Sequence, residues 1–273
     1  MPLAVCATPI GNLDDVTLRV LAELAAADLV LCEDTRRTRV LLARHGIRAR
    51  TSSYHRHNEA ARTAEVLPRL LAGERIALAS DAGLPGISDP GALLVRAAVD
   101  AGVDVTVLPG PSAVETALVF SALGGGAYRF LGYLPRTDAG LAEVWLALDR
   151  APEPAVAFES PRRLPRTLAS LAGALPGRPV AVCRELTKRF EEVVRGPAEE
   201  VAARFVEAPK GEITVVVGPR PAEARGPRGS VEDEAAAGAV AELVAAGLPR
   251  RLAADIVARL TGLPRNRLYR GSL

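Results

Sequence analysis

Short apolar segments alternate with amphipathic helical segments along most of this 273-residue chain. Residues 3–7 form the first apolar run, residues 15–28 carry leucines at helical spacing, and residues 29–32 form a second apolar run. Apolar strands that alternate with helices favour a mainly parallel sheet, because each helix returns the chain to the same edge. The pattern therefore predicts an α/β fold.

The alternation restarts after a glycine-rich run at residues 124–128, which predicts two α/β domains. In the second half, "FEEVVRG" follows "AVCRELTK" too closely for a helical crossover, so the second sheet is predicted to be mixed. Near the end of the chain, two "GLP" turns separate helical runs, as in a helix-turn-helix unit. We predict an N-terminal α/β domain over 1–124, a second α/β domain over 125–220, a linker over 221–230 and a small helical tail over 231–273.

The carboxyl ends of the predicted strands carry loops rich in glycine, proline or charge. In open α/β sheets, ligands bind beyond these strand ends. The loops read "ATPIGN", "CEDTRRT", "SDAGLPG", "PGPSA", "FESPRR" and "RELTK". None of them matches the dinucleotide motif GxGxxG or the phosphate-binding motif GxxxxGK[ST], so neither type of site is predicted.

The longest of these loops, residues 80–91, reads "SDAGLPGISDPG". Glycine is entropically costly and is used where the backbone must adopt special angles or approach another group closely. The loop is therefore a candidate ligand-binding loop. The alternative is a long connection that caps the next helix with an aspartate or a serine.

Composition narrows the class of protein. No apolar run reaches the roughly 18 residues of a membrane span, and the first residues do not form a signal peptide; we therefore predict a cytoplasmic protein without membrane contact. Cys6, Cys32 and Cys183 are too far apart for a zinc motif and odd in number, which predicts buried thiols. His55 and His57 have no further ligand nearby, so no metal site is predicted.

The basic residues are almost all arginines. Of 34 lysines and arginines, only Lys188 and Lys210 are lysines, and the net charge is +2. An ammonium is a compact, tunable charge, whereas a guanidinium is a fixed planar fork. Lys188 and Lys210 therefore mark positions where arginine would not serve, or they are lysines retained by chance.

Nine segments between residues 8 and 212 occur in one order: "TPIGNLDDVTLR", "EDTRRT", "SYHRHNE", "SDAGLPGISDPG", "LPGPSA", "FLGYLPR", "FESPRRL", "RELTK" and "PKGE". In these segments the chain resembles the tetrapyrrole-methylase-like family of S-adenosylmethionine enzymes, and within it the members that methylate ribosomal RNA. The chain departs from the family pattern at Phe158, where tyrosine is more usual, and at Leu84, where threonine is frequent.

The resemblance implies two α/β domains with S-adenosylmethionine bound in the cleft between them. It implies methyl transfer to the ribose 2′-oxygen of a cytidine in 16S rRNA near the decoding centre, within the small ribosomal subunit, by a homodimer. By position in the motifs, it places the cofactor contacts at Pro9, Asp81, Gly83, Leu84, Ile87, Ser112 and Ala113, and in the second domain at Phe158, Leu186 and Gly211.

Methyl transfer is an in-line displacement, so alignment is its main catalytic resource. A base that removes the hydroxyl proton, or a cation that stabilises the oxyanion, adds to it. The titratable candidates at the strand ends are Lys188, Glu185, Asp34 and Glu159, and the sequence does not rank them. Each is equally well explained as an ion-pair partner, the charged neighbours being Arg36, Arg162 and Arg184.

RNA contacts are expected from two loops and the tail. Arginines suit phosphates and aromatic rings stack on bases; the loop candidates are Arg36, Arg37, Arg39 and Arg56 for phosphates, and Tyr54 and His55 for bases. The last 25 residues hold six arginines and one acid, and among them we predict RNA contacts at Arg265 and Arg267. The alternatives are a solvated basic face for the loops and dimer packing for the tail.

Two other functions are compatible with parts of the sequence. A methyltransferase for tetrapyrroles or other small molecules would share the cofactor loops, although the arginine-rich loops and tail disfavour it. A DNA-binding regulator would need only the tail, and it leaves the six strand-end loops without a role.

Overall fold

The computed structural model describes residues 2–220, 228–263, 265, 268 and 269. The chain forms two compact units that divide after Pro219. The first unit contains two five-stranded sheets. The second unit contains two helices described over their full lengths. Within the described residues, no helix combines the length and the apolar character that a membrane crossing requires.

The first sheet is parallel throughout and has the strand order β3-β2-β4-β1-β5. Its strands are β1 (Leu3–Cys6), β2 (Leu29–Cys32), β3 (Thr51–Ser53), β4 (Ile76–Ala79) and β5 (Val105–Leu108). Its helices are α1 (Leu18–Ala26), α2 (Thr35–Arg44), α3 (Glu59–Leu71) and α4 (Ala92–Asp100). One apolar cluster joins α3 and α4 to one face, and another joins α1 and α2 to the other. The predicted parallel sheet is confirmed.

The second sheet is mixed, as predicted, with the strand order β6-β7-β10-β8-β9. Its strands are β6 (Arg129–Tyr133), β7 (Ala155–Glu159), β8 (Pro179–Arg184), β9 (Glu192–Pro197) and β10 (Ile213–Val217). Only β6 and β7 pair in parallel; the other neighbours are antiparallel. The helices α6 (Asp138–Arg150), α7 (Leu164–Ala174) and α8 (Ala198–Arg204) share one apolar core with this sheet.

A single helix, α5 (Ala113–Ser121), follows the first sheet in sequence but packs on the second. Its buried residues Val114, Ala117 and Leu118 lie in one cluster with Val156 and Val216 of the second sheet. This packing joins the two sheets of the first unit. The predicted boundary at residue 124 places α5 in the first domain; the domain boundaries stay predictions.

The second unit has a small apolar core of its own, formed by α9 (Arg228–Ala245), α10 (Arg250–Thr261) and Leu268. Gly247 has a φ of +94° at the first "GLP" turn, and Gly262 ends α10 with a φ of +72°. Both turns therefore need glycine, because side-chain-bearing residues rarely adopt these angles. The third short helix predicted after residue 264 falls largely outside the described residues.

Candidate active site

The carboxyl ends of four parallel strands meet at one edge of the first sheet. Cys6, Cys32, Ala79 and Leu108 are the last residues of β1, β2, β4 and β5, and the pairing register places them side by side. The loops that follow these strands therefore start from one edge, where α/β sheets bind ligands.

The loop after β4, residues 80–91, folds back onto the loop after β1. Thr8 and Gly83 exchange two backbone hydrogen bonds with N···O distances of 2.8 and 3.0 Å. Gly83 has a φ of +78° and Gly91 a φ of +140°, and a Cβ atom at Gly91 would lie 3.0 Å from Leu78 Cδ2. Part of the loop's unusual composition is therefore a requirement of its own backbone.

A cavity of about 870 Å³, called here the main cavity, opens between these loops and the second sheet. Small-molecule sites span roughly 300–1,000 Å³, so the main cavity lies near the upper end of that range. Nine of the ten predicted cofactor contacts line it: Asp81, Gly83, Leu84, Ile87, Ser112, Ala113, Phe158, Leu186 and Gly211. The tenth, Pro9, lines a second cavity of about 270 Å³. Their contacts with a cofactor stay predictions.

Aromatic rings form part of the cavity wall that the second sheet contributes. The Phe158 ring centroid lies 5.1 Å from that of Phe130 and 5.6 Å from that of Tyr133, both in edge-on arrangements. Leu84 and Phe158, the two departures from the family pattern, both line the main cavity. At Phe158 the wall is an apolar ring where a tyrosine would offer a hydroxyl.

The main cavity is acidic. Its lining includes only one cationic side chain, Arg37, among the described residues, and six carboxylates: Glu33, Asp81, Asp89, Glu115, Glu159 and Glu212. An excess of negative charge in a partly enclosed site favours a cationic ligand.

Asp81 connects the loops after β2 and β4. Its carboxylate accepts a hydrogen bond from the Asp34 backbone N–H at 2.9 Å and lies 3.6 Å from Arg37 Nη1. The Asp81 side chain is 21% exposed. Asp81 therefore holds the two loops together and still borders the main cavity.

Glu159 is anchored at the end of β7, with its side chain fully buried. Its carboxylate accepts hydrogen bonds from Arg163 Nη2 at 2.9 Å and from the Thr167 hydroxyl at 2.6 Å. Glu159 therefore forms an ion pair, which was the alternative to a catalytic role, and its partner is Arg163 rather than Arg162.

Lys188 lines the second cavity and contacts two carboxylates. Its Nζ lies 2.8 Å from Glu185 Oε1 and 2.9 Å from Glu212 Oε2. Burial opposes its charge, but these hydrogen bonds outweigh burial and raise the pKa of Lys188 above its usual range. Lys188 is therefore a cation at neutral pH and is unsuited to accept a proton.

The loop that carries Lys188 is conformationally unusual. Glu185 and Thr187 have φ values of +52° and +64°, which are rare for residues other than glycine and most unusual for a β-branched one. The Thr187 hydroxyl accepts a hydrogen bond from the Asn12 backbone N–H at 3.0 Å. A Cβ at Gly11 would lie 2.6 Å from Lys188 Cγ. The two α/β halves therefore meet in a close contact of the "TPIGN" and "RELTK" loops.

The predicted catalytic residues Glu185 and Asp34 line neither cavity. Glu185 binds Lys188 and accepts a hydrogen bond from the Glu212 backbone N–H. Asp34 caps α2, and hydrogen bonds from Arg36 lower the pKa of its carboxyl to about 2. Both carboxylates support neighbouring residues in this geometry, and their catalytic roles stay predictions.

The predicted RNA contacts separate into accessible and buried side chains. Arg36 is 86% exposed, and Arg37 borders both cavities. Tyr54 is 1% exposed and its hydroxyl hydrogen-bonds to Thr63, so the predicted stacking on a base is wrong for this residue. Although Tyr54 lies in a polar sequence segment, its ring packs in the apolar cluster with α3 and α4.

The remaining predicted RNA contacts are half-buried, exposed or not described. His55 is half-buried, and its Nδ1 has no hydrogen-bond partner among the described residues. Arg265 is exposed and lies 3.3 Å from Asp255. Arg267 lies outside the described residues.

The thiols and histidines form no metal site in the described part of the chain. Cys6, Cys32 and Cys183 are free and buried, as predicted. Burial raises the pKa of Cys6 and of Cys183 to about 12, so neither is a reactive thiolate at neutral pH.

Among the acidic residues and tyrosines that line the main cavity, six were not predicted as site residues: Glu33, Asp89, Glu115, Glu212, Tyr128 and Tyr133. Glu33 precedes the predicted Asp34 in the same loop, and Asp89 lies in the glycine-rich loop itself. Their position at strand ends was the available signal. Which of several neighbouring polar residues points into a cavity depends on loop conformation, which spacing alone does not supply.

Comparison with known proteins places this architecture in a family. Residues 2–202 match the model of the tetrapyrrole (corrin/porphyrin) methylases, and residues 231–271 match that of the RsmI C-terminal HTH domain. A protein of Mesorhizobium japonicum named ribosomal RNA small subunit methyltransferase I is 45% identical over 271 residues, which cover 98% of this chain and 90% of the relative.

A second relative and one solved structure are also similar to this chain. A protein of Micromonospora olivasterospora with the same name is 43% identical over 96% of this chain and 83% of its own length. The structure of uroporphyrin-III C-methyl transferase from Thermus thermophilus, complexed with S-adenosyl homocysteine, superposes with a TM-score of 0.57 at 20% identity, over 79% of this chain and 96% of that one. That structure supports the fold alone. The matched family model covers the first sheet and four of the five strands of the second sheet, all except β10, and the chain belongs to the tetrapyrrole (corrin/porphyrin) methylase family.

Proposed function

We propose that this protein transfers a methyl group from S-adenosylmethionine to ribosomal RNA of the small subunit. The observation that carries the proposal is the acidic, glycine-lined main cavity in a chain that is 45% identical to a protein named for this activity. In its finer form, the proposed target is the ribose 2′-oxygen of a cytidine in 16S rRNA near the decoding centre.

The lining of the main cavity fits S-adenosylmethionine. Backbone and small side chains at Gly83, Gly110 and Ala113 leave room for close approach, and the rings of Phe130 and Phe158 offer an apolar surface. The carboxylates favour the sulfonium and ammonium charges of the cofactor. No phosphate-binding loop is present in the sequence, and this cofactor needs none.

When bound, the cofactor supplies an electrophilic methyl group. The chain's own residues align the acceptor hydroxyl with that methyl group and exclude water from the path. Lys188 contributes a fixed positive charge at the second cavity, which shares Asp81, Arg37 and Glu212 with the main cavity. A cation at this place stabilises an oxygen that develops negative charge.

RNA binding is proposed for two regions. Arg36, Arg37, Arg39 and Arg56 lie in or near the loops beside the main cavity, where they suit phosphates. The second unit supplies further arginines, Arg265 and Arg267 among them. Each region would bind RNA through its phosphate groups.

The cytoplasmic location, the homodimer and an assembled small subunit as substrate are parts of the same proposal and derive from the resemblance. Light scattering of the purified protein tests the dimer. Comparison of free 16S rRNA with assembled subunits as substrates tests the subunit context.

A second candidate function is methylation of a tetrapyrrole. It is favoured by the size of the main cavity and by the fold shared with uroporphyrin-III C-methyl transferase. The arginine-rich loops and the second unit favour RNA, because a small ligand needs neither of them.

One experiment decides between the two functions. The protein is incubated with methyl-labelled S-adenosylmethionine and, in parallel, with small ribosomal subunits, free 16S rRNA or a porphyrinoid. Label in rRNA, mapped to one ribose by nuclease digestion and mass spectrometry, is the expected result. Label in the porphyrinoid alone would reject the RNA substrate.

A further inference from the structure

The main cavity contains more carboxylates than the cofactor requires, and most of them are already bound to neighbours. Asp81 contacts Arg37, Glu159 contacts Arg163, and Glu212 contacts Lys188. Glu115 accepts hydrogen bonds from the hydroxyls of Ser112 and Tyr128. A carboxylate held by a cation or by two donors is a weak proton acceptor.

Glu33 and Asp89 differ from these four. In the described part of the chain, neither has a hydrogen-bond or ion-pair partner, and both line the main cavity. His55, Arg37 and Arg56 partly compensate the charge of Glu33. No positive charge compensates that of Asp89, which is half-buried at the end of the glycine-rich loop.

We propose that Asp89 is the general base that accepts the proton of the ribose hydroxyl during methyl transfer. Asp89 lines the main cavity close to Glu33, Asp81 and Tyr133, and among the described residues its carboxylate has no bonding partner there that would compete with a substrate hydroxyl. The inference rests on the proposed function and names the residue that performs its proton transfer.

In the proposed step, one bond forms, one bond breaks and one proton moves. The ribose 2′-oxygen forms a bond to the methyl carbon while the bond from that carbon to sulfur breaks, and its electron pair stays on sulfur. The hydroxyl proton passes to the Asp89 carboxylate and from there to solvent. S-adenosylhomocysteine and a 2′-O-methylated ribose are the products.

The surroundings of Asp89 bring the pKa of its carboxyl close to neutral pH. Burial first, and then the negative charges of Glu33 and Asp81, raise the pKa of Asp89 to about 7. A general base works best when its pKa lies near the operating pH. The remaining titratable group nearby is Tyr133, whose pKa is raised by burial and then by the charge of Asp89.

Cofactor binding adds a second effect. The sulfonium of S-adenosylmethionine brings a positive charge into the cavity, and an opposite charge nearby lowers the pKa of a carboxyl. Asp89 should therefore release a proton when S-adenosylmethionine binds, and it is then ready to accept one from the substrate. S-adenosylhomocysteine lacks the sulfonium charge and should cause less release.

The first test measures proton release without any turnover. Calorimetric titrations at pH 7, in buffers of different ionisation enthalpy, give the number of protons released per ligand bound. We expect the wild-type protein to release up to about half a proton with S-adenosylmethionine, because a group near its pKa is about half protonated. Asp89→Asn should abolish this release while it keeps its affinity for S-adenosylhomocysteine, and Asp100→Asn, on the exposed end of α4, is the matched control.

The second test measures the pH dependence of rRNA methylation. The wild-type kcat/KM for S-adenosylmethionine should rise with pH through about 7, because this quantity reports the free enzyme and the base is active when deprotonated. Asp89→Asn should lose this rise and slow methylation about 100-fold or more. Glu33→Gln removes a neighbouring negative charge and should move the inflection to lower pH.

The outcomes separate the two proposals. If the wild-type protein methylates rRNA and Asp89→Asn matches its rate or its proton release, the assignment of Asp89 fails alone. Loss of activity in Glu33→Gln with retention in Asp89→Asn would also overturn it, in favour of Glu33. A wild-type protein that transfers no methyl group to rRNA would reject the proposed function.

Discussion

At the scale of single residues, Asp81 combines a structural and a proposed binding contact. One carboxylate oxygen accepts the Asp34 backbone N–H, and the other lies near Arg37. An asparagine at this position can still accept the backbone hydrogen bond, but it carries no charge. The substitution therefore separates the two roles of Asp81.

We predict that Asp81→Asn weakens S-adenosylmethionine binding about tenfold, the loss expected for one hydrogen bond to a charged group. Isothermal titration calorimetry measures the affinity, and the thermal midpoint should stay close to that of the wild-type protein. Asp100→Asn, which removes an exposed carboxylate outside both cavities, should bind normally. An unchanged affinity of Asp81→Asn would remove Asp81 from the cofactor site.

A second residue-scale prediction concerns Gly11, where the two α/β halves meet. An added Cβ would lie 2.6 Å from Lys188 Cγ, 2.7 Å from Thr187 Oγ1 and 2.8 Å from the Leu186 carbonyl oxygen. We expect Gly11→Ala to lower the free energy of unfolding by about 1–3 kcal/mol, as overpacking does. It should also weaken cofactor binding, because Leu186 lines the main cavity.

Gly173→Ala is the matched control for Gly11→Ala, and urea denaturation measures both. Gly173 lies inside α7, and a Cβ there would meet nothing within 4 Å. Alanine favours a helix interior over glycine by roughly 0.5–1 kcal/mol, so this variant should be slightly more stable than the wild-type protein. If Gly11→Ala and Gly173→Ala were equally stable, the contact between the two loops would accommodate the added methyl group without loss of stability.

At the scale of secondary-structure elements, the connection from β7 to α7 depends on one buried ion pair. Arg163 Nη2 donates to Glu159 at 2.9 Å and to the carbonyl oxygens of Leu134 and Pro135 at 2.7 and 3.0 Å. It therefore links the end of β7 to the end of β6. Removing one partner of a buried pair leaves an uncompensated charge, which costs about 3–5 kcal/mol.

We predict that Arg163→Met lowers the free energy of unfolding by about 3 kcal/mol, because the buried Glu159 carboxylate loses its charged partner. Arg162→Met is the control, because Arg162 is exposed one position earlier, and it should change stability by less than about 0.5 kcal/mol. A loss that is equal in both variants would contradict the buried-pair argument.

The elements also show what the sequence could and could not predict. The short connection between β8 and β9 predicted an antiparallel pair and hence a mixed sheet, because a parallel pair needs a crossover. The strand β3 was missed, since Thr51–Ser53 is short and polar. The strand β10 lies between β7 and β8 through pairing of residues that are far apart in the sequence, and a local sequence pattern does not predict such pairing.

The same distinction applies to the site. Strand ends and the family resemblance located nine cavity-lining residues, because the backbone topology alone brings those loops together. The catalytic candidates were less predictable. Lys188, Glu185 and Asp34 are charged residues at strand ends, as Asp89 is, but their ion pairs depend on side-chain geometry that spacing does not determine.

At the scale of the whole molecule, the two compact units divide the proposed work. Every residue that lines either cavity belongs to the first unit. The second unit has its own apolar core and a basic composition, with six arginines and one acid in the last 25 residues. Cofactor binding should therefore be independent of the second unit, and RNA binding should not.

We predict that truncation after Pro219 leaves S-adenosylmethionine affinity nearly unchanged and weakens binding to 16S rRNA. The salt dependence of RNA binding should also flatten, because each lost phosphate contact reduces the slope of log K against log salt by about 0.7–0.9. Filter binding at several salt concentrations measures both quantities. The double substitution Arg250→Gln, Arg251→Gln keeps the fold of the unit and should give a smaller change in the same direction if these arginines contact phosphates. If the truncated protein bound rRNA with wild-type affinity and salt slope, the second unit would not be an RNA anchor; light scattering would then test whether it holds two copies of the chain together instead.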